Sequence, residues 1–232
     1  MKSVAVITMF RSNLEIASAW VESFNKIFIP RDMNIALRAV MAEDGFDLIL
    51  SHISKNLRED VQIIPCRVNN FSPSNSDKLS IEYNRELSEY VAKTKSDQAK
   101  NVNKGFTLFW DDDVTVNGPI PVINLIKAIE SDDKCENAIG VYPDRRDKSK
   151  SYVKLSPYGS SMQIKDIKFG DIFKVATGSP GFSLWNTEYL KSILPIIVMQ
   201  GTLDTFIYTG LKLEQDGRKC LCHGGVRMNH DA

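Results

Sequence analysis

Phe106-Thr-Leu-Phe-Trp110 followed at once by Asp111-Asp112-Asp113 sets an apolar run directly against three carboxylates. An apolar run of this length bounded by charge predicts a buried strand. A strand that ends in acids delivers them to the rim of a sheet, where ligands bind. Successive strand side chains point to opposite faces, so the period predicts that Asp111 and Asp113 converge on one object while Asp112 turns away. Carboxylate oxygens are hard ligands that suit Mg²⁺ or Mn²⁺, and such ions take one or two protein carboxylates together with substrate phosphates. The stretch therefore predicts a metal-diphosphate site.

Upstream, strand and helix patterns alternate. Ser3 to Phe10 reads as a strand, and Leu14, Ala17, Trp20, Val21, Phe24 and Ile27 carry helical spacing. Met33 to Ala42 is a second strand closed by the turn Glu43-Asp44-Gly45, with helical periodicity resuming at Phe46, Ile49, Leu50 and Ile53. Val61 to Val68 is a third strand, Asn69 to Asp77 a loop, and Leu79 to Lys93 a helix; the lysine-rich Lys93 to Gly105 reads as a solvated connection. Downstream come a helix over Pro119 to Glu130, a short strand over Ala138 to Tyr142, and a polar insertion from Asp144 to Gln163. A glycine-bearing run follows in Val175 to Leu184, then a helix over Leu203 to Leu213 and an extended segment over Lys219 to Met228. This order predicts an α/β fold in one domain, with its chemistry at the strand carboxyl ends.

Composition narrows the class. The 232 residues carry 29 basic and 29 acidic side chains, so the total charge does not select nucleic acid as a partner. The apolar start from Met1 to Phe10 is too short for a secretory signal, and no window reaches the length of a membrane span, which predicts a soluble, cytoplasmic protein. The four cysteines, Cys66, Cys135, Cys220 and Cys222, are too few for a disulfide framework. Cys220-Leu-Cys222-His223 has one residue between its thiols where zinc sites use two to four, so a strand carrying small apolar thiols is the better reading.

The chain resembles nucleotide-sugar-dependent glycosyltransferases of the GT-A type, through the ordering of several short signals. These are the opening strand, Glu43-Asp44-Gly45, Asn84-Arg85, Phe109-Trp-Asp-Asp-Asp113, the segment from Gly178 to Leu184, Asp204 at a helix start, and the late His230. The resemblance implies a GT-A-like, mostly parallel sheet flanked by helices, residues 1–117 binding the nucleotide sugar and residues 118–232 facing the acceptor. It implies that Asp111 and Asp113 bind Mn²⁺ or Mg²⁺ with His230 as a further ligand, His223 being the rival. Thr8, Phe10 and Arg11, with Glu43 or Asp44, match the places that hold the nucleoside, and Lys78, Asn84 and Arg85 those near the base or diphosphate. Asp112, Gly178 and Gly181 are further candidates for donor contacts. Asp204 stands where inverting members carry the general base, although Leu203 replaces the first acid of the familiar Glu-Asp pair. The implied donor is a uridine-linked nucleotide-diphosphate sugar, and the acceptor is a hydroxyl on a glycan or on modified DNA bases.

Plainer readings of the same residues stand beside these. Three acids after a strand also make a solvated turn, and Asp204 also caps a helix. The basic cluster Arg145, Arg146, Lys148, Lys150 and Lys154 reads as a solvated loop, with contact to an anionic acceptor as its functional alternative. The same metal site would serve a nucleotidyltransferase of similar fold, and a non-catalytic nucleotide-sugar-binding protein would keep the fold without turnover. Met9 to Asn13 contains no glycine for a phosphate-cradling loop, which counts against the nucleotidyltransferase.

Overall fold

In a computed structural model, residues 1–144, 147–176, 181–199 and 205–230 are described. Strands β1 (Lys2–Phe10), β2 (Met33–Ala42), β3 (Gln62–Val68) and β4 (Phe106–Trp110) alternate with helices α1 (Leu14–Asn25), α2 (Phe46–Asn56) and α3 (Ile81–Lys100). Then follow β5 (Val114–Asn117), α4 (Pro121–Glu130), β6 (Cys135–Val141), β7 (Lys150–Lys154), β8 (Ser161–Gln163) and β9 (Ile172–Val175). The chain closes with β10 (Phe182–Asn186), α5 (Thr187–Ser192), α6 (Thr205–Gln215) and β11 (Lys219–His230). Nine strands form one sheet in the order β3-β2-β1-β4-β10-β6-β11-β5, with β9 also paired to β11, while β7 and β8 form a separate hairpin.

The sheet is mostly parallel and mixed where the chain returns. β3, β2, β1 and β4 run parallel, β10 runs against both β4 and β6, and β11 lies parallel to β6. Strands covered on both faces need apolar residues at nearly every position, and β1 shows why. Val4, Val6 and Phe10 pack with α1, α2 and α4 on one face, while Ile7 on the opposite face packs with residues of α3, α5 and α6. Helix starts follow from local chemistry: the Asn13 side chain accepts from the backbone N–H of Glu15 and Ile16 at α1, and Ser80 accepts from Tyr83 at α3.

Three features differ from the reading of the sequence. Helix α3 continues past Lys93 to Lys100, and Thr94, Lys95, Ser96 and Ala99 in that stretch are buried. Val114 to Asn117 forms a strand, held by pairing with the end of β11. The glycine-bearing run leads into β10, which is central to the sheet. Among the described residues no helix is long and apolar enough to cross a membrane.

Candidate functional site

The order of strands places a switch point beside β1. The chain leaves β1 toward β2 through α1, and it enters β4 on the other side of β1 through α3, so the carboxyl ends of β1 and β4 flank a crevice. A cleft of about 430 Å³ opens there. Its walls are Met9, Phe10, Val40, Ala42, Val68, Phe71, Leu87, Tyr90 and Val91, and its polar end is Arg11, Lys95 and Asp111 to Asp113. Phe71 and Tyr90 lie with ring centroids 5.4 Å apart, and the Tyr90 hydroxyl donates to the Asn69 carbonyl at 2.7 Å. An apolar slot with an aromatic wall and charge at one end suits a flat base attached to a phosphate chain.

The acids do not continue the strand. The Val114 N–H donates to the Asp111 carbonyl at 3.2 Å, and the Trp110 indole N–H donates to the Val114 carbonyl at 2.7 Å, so the chain turns at once after β4. Period-two alternation therefore lapses, and Asp112 joins its neighbours at the cleft. The Arg11 backbone N–H donates to Asp112 Oδ2 at 2.8 Å, and its guanidinium lies 3.1 Å from Asp112 Oδ1 and 2.8 Å from Asp113 Oδ2. Asp111 is held separately, with Lys95 Nζ 2.7 Å from its Oδ1. Burial pushes the Asp112 carboxyl above the usual carboxylate range, against the opposing pull of Arg11 and with a small push from Asp111.

The second half of the chain fastens this turn. The Asp111 N–H donates to the Gly181 carbonyl at 2.8 Å, and the Gly181 N–H donates to the Tyr142 hydroxyl at 3.1 Å. A Cβ on Gly181 would lie 2.5 Å from that hydroxyl and 3.3 Å from Asp111 Oδ2, so any side chain there would have to displace the Tyr142 ring. Pairing of β11 with β5 sets His230 opposite Val114. His230 Nε2 then lies 3.7 Å from Asp113 Oδ1, with the ring edge-on to Tyr142 and Tyr152. Its Nδ1 lies 3.3 Å from the Pro143 carbonyl, an acceptor only, which assigns the proton to Nδ1. Nε2 then stands 3.7 Å from a carboxylate oxygen in the form that can take a proton or bind a metal ion.

Asp111, Asp113 and His230 thus offer the donor types that a hard or borderline divalent ion takes, and they fit such an ion in kind. Among the described residues no three His, Cys, Asp or Glu side chains are already gathered in ligand geometry. Arg11 lies against Asp112 and Asp113, and Lys95 against Asp111.

Other residues singled out from the sequence lie elsewhere. Thr8 is fully buried, with its hydroxyl lacking a hydrogen-bond partner among the described residues. Asp44 accepts from the Ser12 hydroxyl at 3.0 Å, and Glu43 lies 3.9 Å from Arg67, both outside the cleft lining. Asn84 donates to the carbonyls of Lys78 and Ser80, fastening the loop to the start of α3, and exposed Arg85 lies 4.0 Å from Glu89 one turn on. His223 accepts from the Gly225 N–H at 3.1 Å, away from the cleft. Gly178, Asp204, Arg145 and Arg146 lie outside the described residues. Cys220 and Cys222 are buried in β11, as small apolar thiols would be. Sequence reasoning missed Lys95 and Tyr142: a lysine among lysines and a tyrosine ending a strand carry no local mark of a site.

The architecture, a curled and mostly parallel sheet between helices, is a GT-A fold. No family model and no curated protein matches the chain in sequence. Among solved structures, GalNAc-T7 with UDP, GalNAc and Mn²⁺ superimposes over 100% of this chain and 44% of its own, with a TM-score of 0.66 at 12% identity. The mannosyltransferase PcManGT of Pyrobaculum calidifontis, in complex with GDP-Man and Mn²⁺, matches 97% of this chain and 56% of its own, with a TM-score of 0.61 at 12% identity. A197 from STIV is nearer in size, matching 100% of this chain and 86% of its own with a TM-score of 0.53 at 11% identity. The chain therefore spans about half the length of the two transferases, and the likeness is one of fold.

Proposed function

We propose that the protein is a metal-dependent glycosyltransferase that moves a sugar from a nucleotide-diphosphate donor to a hydroxyl acceptor. The observation that carries this reading is the acidic turn at the polar end of an apolar, aromatic-walled cleft, with His230 Nε2 3.7 Å from Asp113. The base lies between the walls formed by Phe71, Tyr90 and Val40, and the diphosphate points toward the acids. A divalent ion bound by Asp111, Asp113 and His230 would neutralise charge on the departing diphosphate. Arg11 orients Asp112 and Asp113. Tyr142 and Gly181 hold the backbone of Asp111 in place.

The acceptor hydroxyl must lose its proton as it attacks, and we assign that proton to Asp204 on the resemblance, with inversion as the outcome. Residues 118–232 would face the acceptor, a glycan or a modified DNA base. Asp204→Asn should keep donor binding and lose about 10²- to 10⁴-fold in transfer, and the anomeric configuration of the product reports inversion directly.

The first test is a thermal-shift panel of UDP- and GDP-linked sugars and nucleoside triphosphates, with and without Mn²⁺. We expect a Mn²⁺-dependent rise with one diphosphate sugar, absent in the Asp111→Asn/Asp113→Asn double variant. A rise with triphosphates alone would move the protein to the nucleotidyltransferases. Binding without transfer or donor hydrolysis would make it a binding protein.

A further inference from the structure

Lys95 is a lysine buried in the donor cleft. Its side chain is 5% exposed, while that of its partner Asp111 is 35% exposed and opens to the ligand space. The ammonium lies 2.7 Å from Asp111 Oδ1 and 5.5 Å from the centroid of Phe109, and Asp111 is its only carboxylate among the described residues. Its backbone is anchored, because the next residue, Ser96, accepts from the Ile196 N–H at 2.9 Å and donates to the Ala92 carbonyl at 2.7 Å. Only the flexible stem can move the charge.

A buried ammonium is expensive unless paired, so whatever takes Asp111 must leave Lys95 another anion. Arg11 is not in this position, since its guanidinium and backbone together engage both Asp112 and Asp113. Lys95 and Asp111 form a charge-balanced pair beside the separate cluster of Arg11 with Asp112 and Asp113. A divalent ion arriving alone at Asp111 would be repelled by Lys95 and would take its carboxylate away. A diphosphate arriving with it offsets the charge of the ion and gives Lys95 a new partner.

We infer that Lys95 is an exchangeable counter-cation that pairs with Asp111 in the free protein and passes to the donor diphosphate when a divalent ion takes Asp111. This rests on the donor-site reading above. The consequence is coupling: ion and diphosphate each bind weakly alone and strengthen one another, by an equal factor in both directions.

Calorimetric titration of Mn²⁺ and of UDP, each alone and with the other, distinguishes this from a packing role. Lys95→Met should bind Mn²⁺ alone about tenfold more tightly and UDP in the presence of Mn²⁺ about tenfold more weakly, while Lys95→Arg stays near the parent. A residue that only supports the fold would weaken both. Asp111→Asn supplies a second measurement that does not depend on how Lys95→Met folds. It leaves the ammonium unpaired, so UDP in chelator should bind about tenfold more tightly than to the parent. Opposite signs in the first pair, with the gain in the second, support the inference. Changes of one sign, or none, overturn it while leaving the donor site standing. If the parent protein shows no Mn²⁺-dependent UDP binding, the donor-site reading itself falls, and this inference with it.

Discussion

The two halves of the sheet are built differently and contribute differently to the cleft. Among the described residues, every side chain that lines it comes from the stretch between Met9 and Asp113, at or just beyond the ends of β1, β2, β3 and β4 and on α3. Those strands are parallel and joined by regular helices, so their carboxyl ends meet along one edge. The second half runs strands both ways and supplies fasteners: the Gly181 backbone, the Tyr142 hydroxyl and His230. Binding surface and geometric control are thus separated along the chain. The control is exerted through β10 and β5, which bracket the acidic turn.

The largest effect should come from breaking the aromatic row that crosses the boundary. Phe10, Trp20, Trp110 and Phe182 lie in sequence with centroids 5.1, 5.1 and 4.9 Å apart, and Trp110 is fully buried. Trp110→Ala should cost about 3–5 kcal/mol in urea unfolding, since it opens a cavity and frees the Val114 carbonyl. The transition should remain single. Two transitions would mean that the halves are separate units and that the row is not their common core.

Next in size is Gly181→Ala. The new methyl would sit 2.5 Å from the Tyr142 hydroxyl and 2.9 Å from Cζ of its ring, close enough to displace the strand that holds the Asp111 N–H. A loss of about 1–3 kcal/mol in stability is expected, together with loss of the Mn²⁺-dependent donor shift. Adding Tyr142→Phe removes the nearest atom and should recover part of the stability. An unaltered donor shift in Gly181→Ala would deny the second half its control of the turn.

The same contrast accounts for what could be read from sequence. β1, β2 and β4 are apolar on both faces, and α1 and α4 carry full helical stripes, so local pattern and final environment agree. The acidic turn was legible because an apolar run that stops in three carboxylates marks a buried strand ending at the rim of a sheet. β5 was not, since four residues become a strand only by pairing with β11, more than a hundred positions away. β10 looked like a glycine segment for the same reason. The extension of α3 was hidden by composition: Lys93, Lys95 and Lys100 look alike in a row of polar residues, and only the tertiary fold buries the middle one. His230 carries no local mark of a site, and the ladder with Val114 is what sets it beside the turn.

A smaller effect tests the electrostatics of the turn. Burial raises the Asp112 carboxyl above its unfolded value, with Arg11 opposing and falling short. Ionised Asp112 is therefore a net cost, absent at pH below the unfolded value of about 4 and growing as pH rises through the folded one. Asp112→Asn removes the titration and keeps an acceptor for Arg11. Relative to that variant, the parent should lose stability as pH rises from about 4 and then level off, in urea unfolding at a series of pH values. A difference that grows in the parent's favour across that range would mean that Arg11 dominates.

The smallest effect probes whether the halves ever open separately. Cys66 lies half-buried on the edge strand β3, whereas Cys135, Cys220 and Cys222 are buried in β6 and β11. Burial pushes the Cys135 and Cys222 thiols up to about 12 and raises Cys66 as well, against the opposing charge of Arg38. None is a strong nucleophile at neutral pH, so access decides the order of reaction. A disulfide reagent at pH 8 should modify Cys66 slowly in the native protein, and Cys66→Ser should abolish that phase. The other three should react only at the rate of global unfolding, measured in parallel, because their strands share one sheet with the first half. If they reacted faster than the whole molecule unfolds, the return strands would be opening by themselves. The acidic turn would then be released together with them, since β10 and β5 are what hold it.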